Sequence, residues 1–299
     1  MAYRRPTYRK TRPYTRRYAS RKTYSVRRSR PVYRRPIRKR RLMSTRRILN
    51  ASSTKKRDTM VSYSMSSARV IMKIRHTLFP PAFLQAYTGT TRNIFIFPWV
   101  ATARTSTNTK EVTDRNDQTS YMRGLKERIE IQTNSGVPWQ WRRSCFTRKG
   151  GTLPSTNTFK PYEFTSQGYV RVVNELPQTG TTFLNDLFDG GQLIDWNDFF
   201  NAKLNRDLVS VKYDKTVSIQ SGNASGVLRR YTRWHPMNHN LTYGDEETAS
   251  TFNGSVYSTL GRRGMGDYYV VDIFVSGGGA GATDILSFNP QATLYWHEK

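Results

Sequence analysis

The chain has 299 residues and a formal net charge of +28, from 49 Lys and Arg against 21 Asp and Glu. Its length suits one large domain or two small ones, no uninterrupted apolar run approaches the roughly 20 residues of a membrane-spanning helix, and the first residues lack the apolar segment of a secretory signal. A single cysteine, Cys145, excludes an internal disulfide and a Cys-based zinc site and fits a reducing compartment.

The charge is concentrated at one end. Residues 1–57 carry 23 Lys and Arg, and the first acid is Asp58, which leaves 26 basic against 21 acidic residues over 58–299, a net of +5. In 1–41 nearly every residue is Arg, Lys, Tyr, Pro, Thr or Ser. Such a segment has too little apolar surface to offset the entropy of ordering, its like charges repel and its prolines block a helix. It is expected to be extended and disordered, so the chain divides into an arm over 1–57 and a folded body over 58–299.

Candidate phosphate contacts in the arm are Arg4, Arg5, Arg9, Lys10, Arg12, Arg16, Arg17, Arg21, Lys22, Arg27, Arg28, Arg30, Arg34 and Arg35. Most are Arg, whose guanidinium can grip a phosphate with two parallel hydrogen bonds. Interleaved with them are Tyr3, Tyr8, Tyr14, Tyr18, Tyr24 and Tyr33. These rings can stack on unpaired bases, at roughly 1–3 kcal/mol per base. Duplex DNA hides the faces of its bases, so Arg and Tyr without regular spacing point to single-stranded nucleic acid, bound through charge and stacking rather than read at base edges. A solvated tail that only aids solubility is the competing reading, and uncompensated charge on this scale favours a polyanionic partner. Two basic clusters, Arg38, Lys39, Arg40, Arg41 and then Lys55, Lys56, Arg57, resemble a two-part nuclear import signal.

From about residue 60 the pattern changes to alternating apolar and β-branched residues. "ARVIMKIRH" (68–76) and "RNIFIFPWV" (92–100) predict strands, the second at an edge because of Pro98. "LKERIEIQT" (125–133) puts Leu125, Ile129 and Ile131 on one face, and "WQWRRSCF" (139–146) follows the turn-like "NSGVP" as a hairpin partner would. Further strands are expected at 169–176, 207–220, 226–235, 267–276 and 292–298. One region, 181–205, reads as one or two short helices, with Asp195 placed to cap "WNDFFNAKLN" and the aromatics packing into a core. Nine strands with very uneven loops and no internal repeat give an all-β fold, a β-sandwich of two packed antiparallel sheets. A jelly roll is the sandwich that accommodates long loops between sheets.

Chemistry-bearing residues are sparse. His235 and His239 are four apart, but Pro236 argues against a helix and no acid stands between them, so hydrogen bonding in a loop or at a subunit contact is the expected role. "DEE" (Asp245, Glu246, Glu247) reads as a solvated acidic loop in preference to a divalent-ion site at an interface, and "GRRGMG" (261–266) follows no βαβ unit. Cys145 suits a core position. No catalytic residue, metal ligand or cofactor site is assigned, and the chain is not expected to be an enzyme.

The Tyr/Arg/Pro/Thr arm, the two basic clusters, the β-rich body and above all "RRYTRWHPMNHNLTYGDEE" (229–247) resemble the capsid proteins of genomoviruses, the gemycircularvirus-like group, and more distantly the coat proteins of geminiviruses and circoviruses. The resemblance implies a viral jelly roll that self-assembles into a small icosahedral shell of about 60 copies. It implies packaging of a circular single-stranded DNA genome through the arm, engagement of host nuclear import receptors, and residence in the virion and the host nucleus, with no membrane partner. Geminivirus coat proteins are associated with a Cys/His cluster proposed to bind zinc, and with one cysteine this chain carries no such site. Two other classes compete: a cellular nucleic-acid-binding protein of ribosomal or chromatin type with a basic extension, which a nearly neutral body disfavours, and an enzyme acting on nucleic acid, which needs a carboxylate or His cluster around a metal.

Overall fold

A computed structural model describes residues 43–64, 70–71, 81–106, 111–150, 153, 159–177, 181–249 and 251–299. The chain divides into two units, Met1–Ser44 and Thr45–Lys299, and the architecture that follows is that of the second. The compact unit thus begins before the compositional boundary at 57/58, which falls inside a strand.

Nine main strands build it: β1 (Thr54–Met60), β2 (Ala82–Gln85), β3 (Ile94–Val100), β4 (Thr119–Thr133), β5 (Trp139–Arg148), β6 (Ser210–Ile219), β7 (Leu228–Thr242), β8 (Asp267–Ser276) and β9 (Ile285–Glu298). The first sheet runs β7-β4-β9-β2, with β1 pairing the C-terminal half of β9. The second runs β6-β5-β8-β3. Every pairing among these strands is antiparallel. From β2 onward the chain visits the first, second, first, second, second, first, second and first sheets. That interleaving of β2–β9, four in each sheet, is jelly-roll connectivity; β1 and the short strand Val70–Ile71 extend the first sheet to six strands, and the expected all-β sandwich is present.

Several local expectations change. The hairpin between 125–133 and 139–146 does not form: β4 pairs with β7 and β9, β5 with β6 and β8. Both strands carry large apolar faces, and Ile129 and Ile131 meet Trp139 and Trp141 in one core cluster, so the strands face each other across the sandwich instead of lying edge to edge. β7 continues past Pro236 to Thr242: Pro236 stays in register opposite Gly124 on an edge strand, and a bulge between Pro236 and His239, with Asn238 at φ 51°, leaves Met237 and Asn238 without ladder partners. Pro98 lies in β3, an edge strand, where its missing N–H costs no ladder bond.

The helices are α1 (Thr45–Ser52), which sequence reading missed, and α2 (Thr181–Leu187). No helix follows Asp195. Its carboxylate accepts the Gly191 N–H at 2.8 Å within a tight turn, and Trp196 and Phe199 pack on Phe188 with ring centroids 5.0 and 5.8 Å away. Aromatic packing overrides helix propensity there. Of the strand expected at 68–76, only Val70–Ile71 lie among the described residues.

The core between the sheets holds four charges. Glu127 of β4, Arg143 of β5, Asp272 of β8 and Arg171, from the short strand Arg171–Val173, have side chains at most 1% exposed. Arg143 donates to Asp272 through Nε and Nη2 at 2.7 and 2.8 Å and pairs with Glu127. Arg171 donates to Asp272 at 2.7 Å and Glu127 at 3.3 Å, and Trp141 Nε1 adds a bond to Asp272 at 2.7 Å. His235 Nε2 lies 3.5 Å from Glu127 Oε2. Burial alone would raise the Glu127 pKa, yet Arg143, Arg171 and His235 hold it well below the usual carboxylate range.

Glu127→Leu leaves two buried guanidiniums sharing one carboxylate, and its urea unfolding midpoint should fall by the equivalent of about 3–5 kcal/mol. Because its folded pKa is depressed, Glu127 stabilises above its unfolded value of 4.5, and that contribution is lost as pH falls. Asp267 behaves oppositely. Burial, tempered by hydrogen bonds from the Ser258 N–H and Oγ, pushes its pKa up to about 6. Its contribution is complete below 3.8 and fades as pH rises through about 6. Asp267→Asn should therefore raise the melting temperature at pH 7.5, by up to about 3 kcal/mol equivalent, and leave it unchanged at pH 3.5.

Candidate nucleic-acid interface

The two sheets treat their outer faces differently. The second sheet is covered: Phe183, Leu187, Phe188, Trp196 and Leu204 share a cluster with Phe146, Tyr269, Val271 and Ile273. Every residue of β8 is buried in consequence. Strands β1, β4 and β9 of the first sheet instead alternate buried with partly or fully exposed residues, and the edge strand β7 is mostly exposed, so this sheet has one face against the core and one in water.

The wet face is basic. Strand alternation turns Lys55 and Arg57 of β1, Arg123, Lys126 and Arg128 of β4, and Arg230 of β7 outward. The pairings align them across the sheet: Arg57 lies opposite Tyr295, Lys126 between Thr293 and Trp234, and Arg128 between Gln291 and Thr232. The one acid on this face of these four strands, Glu130, pairs with Arg230 at 2.7 Å. A groove of about 630 Å³ is lined there by Arg128, Glu130, Arg230, Thr232, Asn289 and Gln291 together with Ser62 and the apolar or aromatic Val61, Ile129 and Tyr231. An ordered row of cations beside amide and hydroxyl groups is suited to holding a polyanion backbone.

The phosphate contacts expected from Arg4 to Arg35, the stacking residues from Tyr3 to Tyr33, and Arg38, Lys39, Arg40 and Arg41 lie outside the described residues. The second import cluster belongs to β1, in the folded unit and not in the arm. Alternation splits it. Lys55 and Arg57 are exposed, but Lys56 points inward, with its ammonium 3.0 Å from Glu298 and 2.6 Å from the Asp114 carbonyl. In the folded unit these three residues therefore present no continuous basic stretch.

The other motifs settle into structural roles. His235 is buried beside Glu127, and His239 is exposed past the bulge. Asp245 is not a solvated acid: its side chain is 2% exposed and receives both Nη atoms of Arg115, at 2.6 and 3.0 Å. Arg115 in turn lies over the Tyr243 ring, 3.9 Å from its centroid. Cys145 is buried between the sheets, and burial pushes its thiol pKa far up. Among the described residues no three His, Cys, Asp or Glu side chains gather as a metal site. Sequence reading missed Lys126 and Arg128 as a surface. Their signal was present in "LKERIEIQT", where they take the positions opposite Leu125, Ile129 and Ile131.

No protein-family model matches the chain, and no curated protein is significantly similar to it.

Lys126→Ala combined with Arg128→Ala, in the full chain, should weaken oligo(dT) binding and flatten its salt dependence. Each lost phosphate contact lowers the slope of log K against log salt by about 0.7, so the pair should lower it by about 1.4. Fluorescence anisotropy across a salt series measures this, and circular dichroism checks that the sheets are intact.

Proposed function

We propose that the chain is the coat protein of a small circular single-stranded DNA virus, assembling into an icosahedral shell and packaging the genome through its basic arm. The observation that carries this reading is the segregation of charge: 23 Lys and Arg precede the first acid, while the remaining 242 residues are nearly neutral. A shell must confine a self-repelling polyanion, and a segment rich in Arg and Tyr can neutralise it without a fixed register while releasing counterions. The jelly-roll sandwich is a recurrent container fold and adds support by analogy alone. The basic outer face of the first sheet gives the folded unit a side of its own suited to the same cargo.

A second reading, a cellular nucleic-acid-binding protein with a basic extension, draws on that same face, since a binding surface on the body is what such a protein needs. Assembly separates the two. Electron microscopy of the expressed full chain should show closed particles of uniform size that protect nucleic acid from nuclease. Deleting 1–41 removes 18 basic residues and should yield shells depleted of nucleic acid, read as a lower absorbance ratio at 260 over 280 nm. A full chain that stays monomeric with DNA at every salt and pH would overturn the coat-protein reading.

A further inference from the structure

Trp234 differs from the other tryptophans in its exposure. Trp99, Trp139, Trp141 and Trp296 are at most 1% exposed and Trp196 is 9% exposed, whereas Trp234 is 48% exposed on the outward side of an edge strand. The indole lies across β4 at Gly124. A Cβ at that glycine would stand 2.7 Å from Cζ2 and 2.9 Å from Cη2 of Trp234, and 2.6 Å from the His235 carbonyl oxygen. The missing side chain at 124 is what lets the ring rest on the backbone of the sheet. Beyond it stands Tyr295 of β9, with ring centroids 5.8 Å apart and planes inclined at 58°.

Cations surround this pair. Lys126 is the ladder partner of Trp234, Arg57 is the partner of Tyr295, and Arg123 precedes Gly124. An aromatic ring backed by a rigid sheet, about half exposed and with cationic residues at neighbouring ladder positions, leaves part of its π surface open with phosphate-binding groups beside it. The open surface has no value for duplex DNA, whose bases are stacked on one another, and full value for a strand whose bases are unpaired.

We propose that Trp234, supported by Tyr295, is a stacking platform for an unpaired base of single-stranded nucleic acid, with Lys126 and Arg57 taking the adjoining phosphates. This rests on the reading of the chain as a nucleic-acid binder. It adds a base contact on the folded unit, separate from the arm.

All six tryptophans lie at or beyond residue 99, so their emission reports on the body and not directly on the arm. Full-length protein titrated with oligo(dT) should show saturable quenching of tryptophan emission, with far less from a duplex of equal length. Trp234→Leu should abolish the quench and weaken oligo(dT) binding by anisotropy about ten-fold. Trp234→Phe, which keeps a ring, should bind close to wild type. Ultraviolet crosslinking of the wild-type complex should place the adduct on the Trp234 peptide, a readout that survives if a variant fails to fold.

Binding with unchanged emission, or equal affinity in Trp234→Leu, overturns the platform. So does loss of association between copies with oligo(dT) affinity intact, which would make Trp234 a contact between copies. Particles seen by microscopy without a quench reject the platform and keep the coat-protein reading, while a quench without particles does the reverse.

Discussion

The sandwich is organised around four charges in its middle layer. β4, β5 and β8 each place a charged residue at the centre of an otherwise apolar inward row: Leu125-Glu127-Ile129, Trp141-Arg143-Cys145 and Val270-Asp272-Phe274. Arg143 and Asp272 are direct partners in the β5–β8 ladder, Glu127 reaches them from the opposite sheet, and Arg171 closes the set. The network divides the interior into two apolar clusters, one built around Met122, Leu125 and Trp296, the other around Ile129, Trp141 and Phe288. Buried ion pairs add little net stability compared with apolar packing, but they penalise every arrangement that leaves one member unpaired. A one-residue slip of β4 would turn Glu127 outward and leave two buried guanidiniums sharing the Asp272 carboxylate, so the network penalises that register.

With the interior determined in that way, the exterior becomes asymmetric. The long connection between β5 and β6 lays its aromatics on the second sheet and buries that face. The first sheet keeps a wet face, and its charges are almost entirely of one sign. Positive charge clustered on one sheet costs some self-repulsion in the free protein, a cost that a bound polyanion removes. The arm and the sheet face would then serve one partner in different ways: the arm by charge density, the sheet by fixed geometry.

Much of this was readable along the chain. Strands expected at 92–100, 207–220 and 267–276 exist as β3, β6 and β8, the alternation in 125–133 marks part of β4, and the composition break separated a polycationic segment from a β-rich body. Short-range signals were less dependable. "KKR" reads as tail because it is basic, yet Met60, three residues on, is buried and the segment pairs with β9 across more than two hundred residues. Asp195 has the chemistry of a helix cap and ends in a turn, because Trp196 gains more from Phe188 and Phe199 than the backbone gains from a helix.

What the sequence determined by itself was the class of fold and the segregation of charge, since both follow from local periodicity and from counting. Only the tertiary structure decided which strands share a sheet, which sheet face stays wet, and that Lys126, Arg128, Arg57 and Trp234 lie together. Pairing partners are chosen by long-range burial of two apolar faces and four internal charges, and no window of the chain contains that information. Alternation says that a side chain points away from its neighbour, but only the packed sandwich says which of the two directions is water.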